Sequence, residues 1–347
     1  QGIEMYVDGD WVKARGTTLG ADNGIGVAAT MAILASEDIA HPAIEALFTI
    51  DEETGMTGAM GLKGGVLTGG IMLNLDSEDD QELTIGCAGG VDVNAVGAYQ
   101  LEPAGDDLQG FTLSLKGLSG GHSGMEIHLG RGNANKLLNR IVFRAATEFD
   151  IRIGSIDSGG LRNAIPREGH ATIAVERSRV DSLKSMISEE SQTLKSEYAS
   201  TDPSLEVVLE SSQCPTSLLP VAFQEQLLRA VYACPNGIFR LSPDIDDLVQ
   251  TSNNLASVYV AEGTFKIQCL TRGSVDSEKM DMANTIRCGF ELMGAQVEFS
   301  GAYPGWAPRP GAPIVKLMAS LYEELFSEKA PVLACHAGLE CGILGTN

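Results

Sequence analysis

The 347-residue sequence is poor in positive charge: 24 Lys and Arg stand against 46 Asp and Glu, a formal net charge of −22. Such a surface repels nucleic-acid backbones and anionic membranes, which excludes both as partners. No apolar run reaches the roughly 18 residues a membrane helix needs, and no basic segment leads into an apolar one at the N-terminus. The seven cysteines are odd in number, scattered and never spaced as C-x-x-C, which fits a reduced, cytoplasmic setting. Histidine is also scarce, with none before Asp22.

What is present is ordinary globular composition, 44% hydrophobic and 20% charged, which argues against disorder and against a fibre. The length is about twice the roughly 150-residue prior for one domain, so two domains or one with a large insertion are expected. The chain opens on Gln1 and enters at once on a hairpin, Met5 to Val12 around Asp8-Gly9. It stops at Asn347, just after an apolar strand-like segment and without a capping helix. Both ends read as those of a fragment.

Residues 1–104 alternate strand and helix. The hairpin is followed by an Ala-rich helix opened by Asp22-Asn23-Gly24, a strand Glu45 to Ile50, and a strand Ile71 to Leu75 that ends in Asp76. That alternation predicts an α/β fold with a mostly parallel sheet, whose ligands gather at strand C-terminal ends. From 105 to 300 the pattern becomes α+β and reads as one inserted domain. It has strands at 110–118, 164–175 and 264–270 and helices at 133–148, 180–196, 221–233 and 277–293. The turn-rich Gly301-Ala302-Tyr303-Pro304-Gly305-Trp306 leads back out. In 301–347, a helix Pro313 to Phe326 and a strand Val332 to Cys335 rejoin the first sheet.

The chemistry lies in the first part. Asp22 alone reads as a helix N-cap, and an isolated Asp51-Glu52-Glu53 run reads as a solvated acidic loop. Together with Asp76, however, three segments bring carboxylates to one sheet edge, where mutual repulsion makes a bound cation the economical explanation. Hard oxygen ligands alone suit magnesium, manganese or calcium, whereas zinc usually takes some histidine.

These residues resemble the co-catalytic dinuclear zinc peptidases, the family of dipeptidases, tripeptide aminopeptidases and acyl-amino-acid deacylases. The likeness rests on the Trp11 to Gly24 segment, Glu52-Glu53-Thr54-Gly55 and Gly86-Cys87-Ala88-Gly89-Gly90. It continues through Gly120-Gly121-His122-Ser123-Gly124, Arg162 to Glu168, Ala302 to Trp306 and His336 to Gly342. It implies a catalytic domain interrupted by a lid, and two divalent metal ions, zinc with manganese or cobalt as substitutes. By that resemblance Asp22 bridges both ions, Glu53 and Asp76 bind one each, and Glu52 is the general base.

The resemblance also gives His122 a role at the developing oxyanion, and Asn163 and Arg272 roles in binding the substrate. His336 and Glu340, at a strand end, are expected to line the site in structural or supporting roles rather than as direct metal ligands. The implied activity is hydrolysis of small peptides, Xaa-His dipeptides included, by an enzyme that is a candidate homodimer. Two family histidines have no counterpart: one from an H-x-D motif upstream of the bridging Asp, and one near the C-terminus. The alternatives are therefore a deacylase, carboxypeptidase or tripeptidase of the same fold, or a catalytically incompetent fragment or binding module.

Overall fold

Apolar side chains are buried very unevenly along the chain, and the computed structural model divides into two compact units. Unit 1 comprises Gln1–Ile85, Arg309–Leu333 and Leu339–Asn347, and unit 2 comprises Gly86–Pro308 and Ala334–Gly338. The structure describes residues 2–77, 79 and 81–346. The terminal residues Gln1 and Asn347, on which the fragment reading leans, lie outside the described residues.

Unit 2 is built on a nine-stranded sheet paired antiparallel throughout. Its strands are β1 (Gly89–Ala98), β2 (Leu108–Lys116), β3 (Arg152–Gly159), β4 (Gly169–Glu176), β5 (Glu206–Ser212), β6 (Gly237–Leu241), β7 (Val249–Ala261), β8 (Thr264–Gly273) and β9 (Gln296–Tyr303). The helices are α1 (Ala134–Phe149), α2 (Val180–Glu197), α3 (Val221–Ala233) and α4 (Asp276–Glu291). Period-two alternation drives the strands: Phe111, Leu113 and Leu115 of β2 all point into the core and are fully buried. Each such side chain contributes about 1.5–3 kcal/mol. Helix α1 buries Leu137, Leu138, Ile141, Val142 and Ala145, the stripe that a 3.6-residue period places on one face. Asn133 caps it, accepting the N–H groups of Asn135 and Lys136 at 3.0 and 3.3 Å.

The strand order is β5-β2-β4-β3-β7-β8-β1-β9, with β6 paired to β7. It separates into two halves of the same design. In the first, β2-α1-β3-β4-α2-β5 gives the order β5-β2-β4-β3. In the second, β1 followed by α3-β7-β8-α4-β9 gives β9-β1-β8-β7. The first repeat is inserted between β1 and α3 of the second, and the two meet where β3 pairs antiparallel with β7.

The strand expected over 164–175 is broken. Pro166 cannot donate to a ladder, so Ala164–Ile165 pairs separately with Gly121–His122, and β4 begins only at Gly169.

Unit 1 holds the expected hairpin, Met5–Asp8 with Trp11–Ala14, and the helix Ala21–Ala35. Pro313–Phe326 is helical as expected. Strand Val332–Cys335 pairs with Leu83–Cys87, and the bonds Leu83 N→Pro331 O and Ala88 N→Cys335 O advance in the same direction, as in a parallel pair. A short helix, Glu340–Leu344, follows where none was expected.

The expected strands 45–50 and 71–75 are absent among the described residues. Their apolar character is real, but a strand also needs ladder partners. None is found here, and Ile50, Ile71 and Leu73 are 75%, 65% and 59% exposed.

Candidate functional site

In unit 1 the carboxylates are placed by three local devices. The helix from Ala21 is not regular at its start: Asp22 has φ −94° and ψ 104°, outside helical values. The cap is Asn23, whose Oδ1 accepts the Gly26 N–H at 2.9 Å. A Cβ on Gly26 would run into that side chain, so a larger residue here would displace the cap. Asp22, expected from its own position to be the N-cap, is thereby released.

Asp51 takes the left-handed conformation, φ 63°, and accepts the Thr57 hydroxyl at 2.6 Å. This sharp turn starts the short helix Glu52–Gly55 and puts Glu52 and Glu53 in its first turn. Asp76 is fixed through its backbone, its N–H donating to Asn74 Oδ1 at 2.9 Å.

The carboxyls of Asp22 and Asp76 come together and act directly on one another. Burial, then Asp22, Glu340 and Glu53, push the Asp76 carboxyl up to about 6. Burial, then Asp76, Glu53, Glu340 and Asp22, hold Glu52 above its ordinary carboxylate range. Among the described residues no group of three or more His, Cys, Asp and Glu side chains is set to hold a metal ion. The close contact is the Asp22–Asp76 pair, while Glu53 adds to its negative field. The donor chemistry fits a divalent cation, which would supply the positive charge this cluster lacks.

Glu340 belongs to the same group, at the lining of the site where the sequence placed it in a supporting role. Thr49 Oγ1 donates to its Oε2 at 2.7 Å, and its Oε1 is buried without a partner.

Unit 2 assembles the expected lid residues. The two-residue ladder sets His122 opposite Ala164, next to Asn163, and the Ser123 N–H donates to the Asn163 carbonyl at 2.8 Å. His122 Nδ1 accepts the N–H groups of Gly124 and Met125 at 3.2 and 2.9 Å. In the neutral ring the proton therefore sits on Nε2, the nitrogen left to donate. Burial, then the Arg272 charge, lowers the His122 pKa against the pull of Glu126 and favours that neutral form.

Arg272 is 4% exposed, donates to Tyr303 Oη at 2.9 Å, and has an Nε without a partner. Two of the glycine motifs make room here. A Cβ on Gly124 would meet the His336 carbonyl at 2.2 Å and Arg272 Nε at 3.1 Å, and one on Gly90 would meet the Tyr303 ring at 2.6 Å.

His336 is buried, its Nε2 lying 2.7 Å from Ser252 Oγ. Burial, then Arg272, lowers its pKa to about 3. The partners Ser252, Asn254 and Tyr303 were missed in the sequence. The signal was Gln250-Thr251-Ser252-Asn253-Asn254, five consecutive polar residues in a strand, all buried.

Comparison with known proteins adds three findings. A family model described as peptidase dimerisation domain matches residues 113–202. The chain is 43% identical over 341 residues to the cytosol non-specific dipeptidase of Escherichia coli strain K12, covering 98% of this chain and 70% of that protein. It is similar to the crystal structure of aminoacylhistidine dipeptidase from Vibrio alginolyticus, with a TM-score of 0.93 and 42% identity over 99% of this chain and 70% of that one.

Proposed function

Because the chain belongs to the M20 peptidase family, that of the cytosol non-specific dipeptidase, we propose that it hydrolyses unblocked dipeptides, Xaa-His among them, with Glu52 as general base. At the coarser level it is a metal-dependent dipeptidase, a hydrolase acting on peptide bonds. Asp22, as the shared ligand, Glu53 and Asp76 would hold two divalent ions, zinc or else manganese or cobalt. Those ions, when bound, lower the pKa of water and polarise the amide carbonyl.

Glu52, with its raised proton affinity, takes the proton of the attacking water and returns it to the leaving amine. His122 Nε2–H donates to the oxygen on which charge develops. Arg272 receives the substrate's terminal carboxylate, and Asn163 holds its carbonyl. The catalytic part is the unit that carries the carboxylates, and the lid is the unit built on the nine-stranded sheet.

One observation carries this reading: the carboxyls of Asp22 and Asp76 come together in a cluster of surplus negative charge that also raises Glu52. The dimerisation-domain match supports a homodimer, and seven scattered cysteines without C-x-x-C spacing support a cytoplasmic setting.

The test is hydrolysis of Ala-His, a tripeptide and an N-acetyl amino acid in added zinc or manganese, with metal content per chain by elemental analysis. Turnover of Ala-His with stoichiometric metal is expected. Preference for the acetylated substrate would make the chain a deacylase, and absence of both metal and turnover would make it a binding module.

A further inference from the structure

The first repeat of unit 2 supplies His122 and Asn163, and the second supplies Arg272. Their relative placement depends on the seam between β3 and β7, where buried asparagine side chains cross from repeat to repeat. Asn254 of β7 is 1% exposed. Its Nδ2 donates to the carbonyls of Arg162 and Ala164 at 3.1 and 2.8 Å, the two residues flanking Asn163. Its Oδ1 accepts from Asn133 Nδ2 at 3.3 Å, and Asn133 also donates to the Leu255 carbonyl at 3.0 Å.

Three consecutive carbonyls are therefore held inside the protein: Arg162 and Ala164 by Asn254, and Asn163 by the Ser123 N–H. The Asn163 carboxamide is left exposed and, among the described residues, makes no hydrogen bond. Asn254 itself is buried with both N–H groups engaged, so it has no donor left for a ligand. Two residues earlier on the same face of β7, about 7 Å away by strand geometry, Ser252 holds His336 and stands opposite Arg272 in the ladder. One strand face thus spaces the Asn163 turn from the Arg272–His336 pair.

We propose that Asn254 is a positioning residue that aims Asn163 by clamping the Arg162–Ala164 turn across the seam between the two repeats. The proposal rests on the reading of Asn163 as a substrate-binding group. An ordinary core residue in this place would be apolar. An asparagine is needed because only a carboxamide offers two N–H donors to two carbonyls and an acceptor to Asn133 from one planar group.

The test is a double-mutant cycle on the full chain with Asn163→Ala, Asn254→Ala and both together. The readouts are kcat/KM for a dipeptide and, independently, the dipeptide-induced rise in melting temperature. Asn254→Ser, which keeps one donor, is included as a milder variant whose folding is checked by melting. Each single Ala variant is expected to lose about 10²-fold in kcat/KM, the scale of a displaced contact group. The double variant should be no worse than Asn163→Ala, and Asn254→Ser should fall between wild type and Asn254→Ala.

Losses that multiply in the double variant, or a wild-type kcat/KM in Asn254→Ala, overturn the proposal. A wild-type kcat/KM in Asn163→Ala overturns the reading of Asn163 instead, and the proposal with it. A wild-type chain that neither turns over nor binds the dipeptide overturns the functional reading as a whole.

Discussion

The two units are polarised in opposite senses. In unit 1 the two shifted carboxyls of the site, Asp76 and Glu52, are raised by burial and by neighbouring carboxylates. In unit 2 the two imidazoles of the site are depressed by burial and by Arg272, a buried guanidinium that donates to a tyrosine hydroxyl and faces the Asp92 charge. Surplus negative charge calls for a cation, and surplus positive charge calls for an anion. The proposed function uses the first unit for metal and the second for the carboxylate and developing oxyanion of a peptide.

The contrast breaks first at Glu52. Glu52→Gln keeps the shape and removes the base, so kcat should fall about 10³-fold while metal content by elemental analysis stays at the wild-type level. Near wild-type turnover would move the base elsewhere. Next in size, Arg272→Met should cost roughly 10- to 100-fold in kcat/KM for a dipeptide with a free carboxylate. A C-terminally amidated dipeptide should be much less affected, and equal losses on both would deny Arg272 its anion.

The opposite signs also separate by pH. The His336 pKa is about 3 in the folded chain against 6.5 unperturbed, so the unfolded chain binds the extra proton on acidification. The stability this neutral ring contributes is complete above pH 6.5 and is lost as pH falls towards 3, by about 2 kcal/mol at pH 5. Urea unfolding of His336→Asn should show a correspondingly flatter acid limb.

Asp76 works in the other direction. Its carboxyl is raised from 3.8 to about 6, so the metal-free fold is favoured below pH 3.8 and loses that contribution as pH rises through 6. The side chain is half-buried, and the solvent that still reaches it screens the effect to about 1 kcal/mol. Added divalent cation should abolish this loss in a melting series, and a slope indifferent to metal would detach Asp76 from the cation.

Helices with clear apolar periodicity were legible from the sequence: Val221–Ala233 and Pro313–Phe326 lie where the pattern put them. Segments 45–50 and 71–75 were not, because their apolar runs express a tendency to be buried, whereas a strand is defined by partners that the run does not encode. The break at Pro166 was written in the sequence, since a proline cannot sit inside a central ladder. At the site, residue types indicated carboxylate chemistry, but which neighbour would cap the helix depended on geometry, and Asn23 took the place expected of Asp22. Asn254 and Ser252 were hidden because their meaning lies across the seam, far away in sequence.

The insertion of one repeat inside the other also sets an order of events during synthesis. Strand β1 leaves the ribosome first, yet its partners β8 and β9 emerge only after the whole first repeat has been made. The inserted repeat, whose pairings are comparatively local, can close early, while β1 waits as an apolar strand with two open edges. A pause in translation before Thr264 would prolong that vulnerable interval, and a pause after Tyr303 would not.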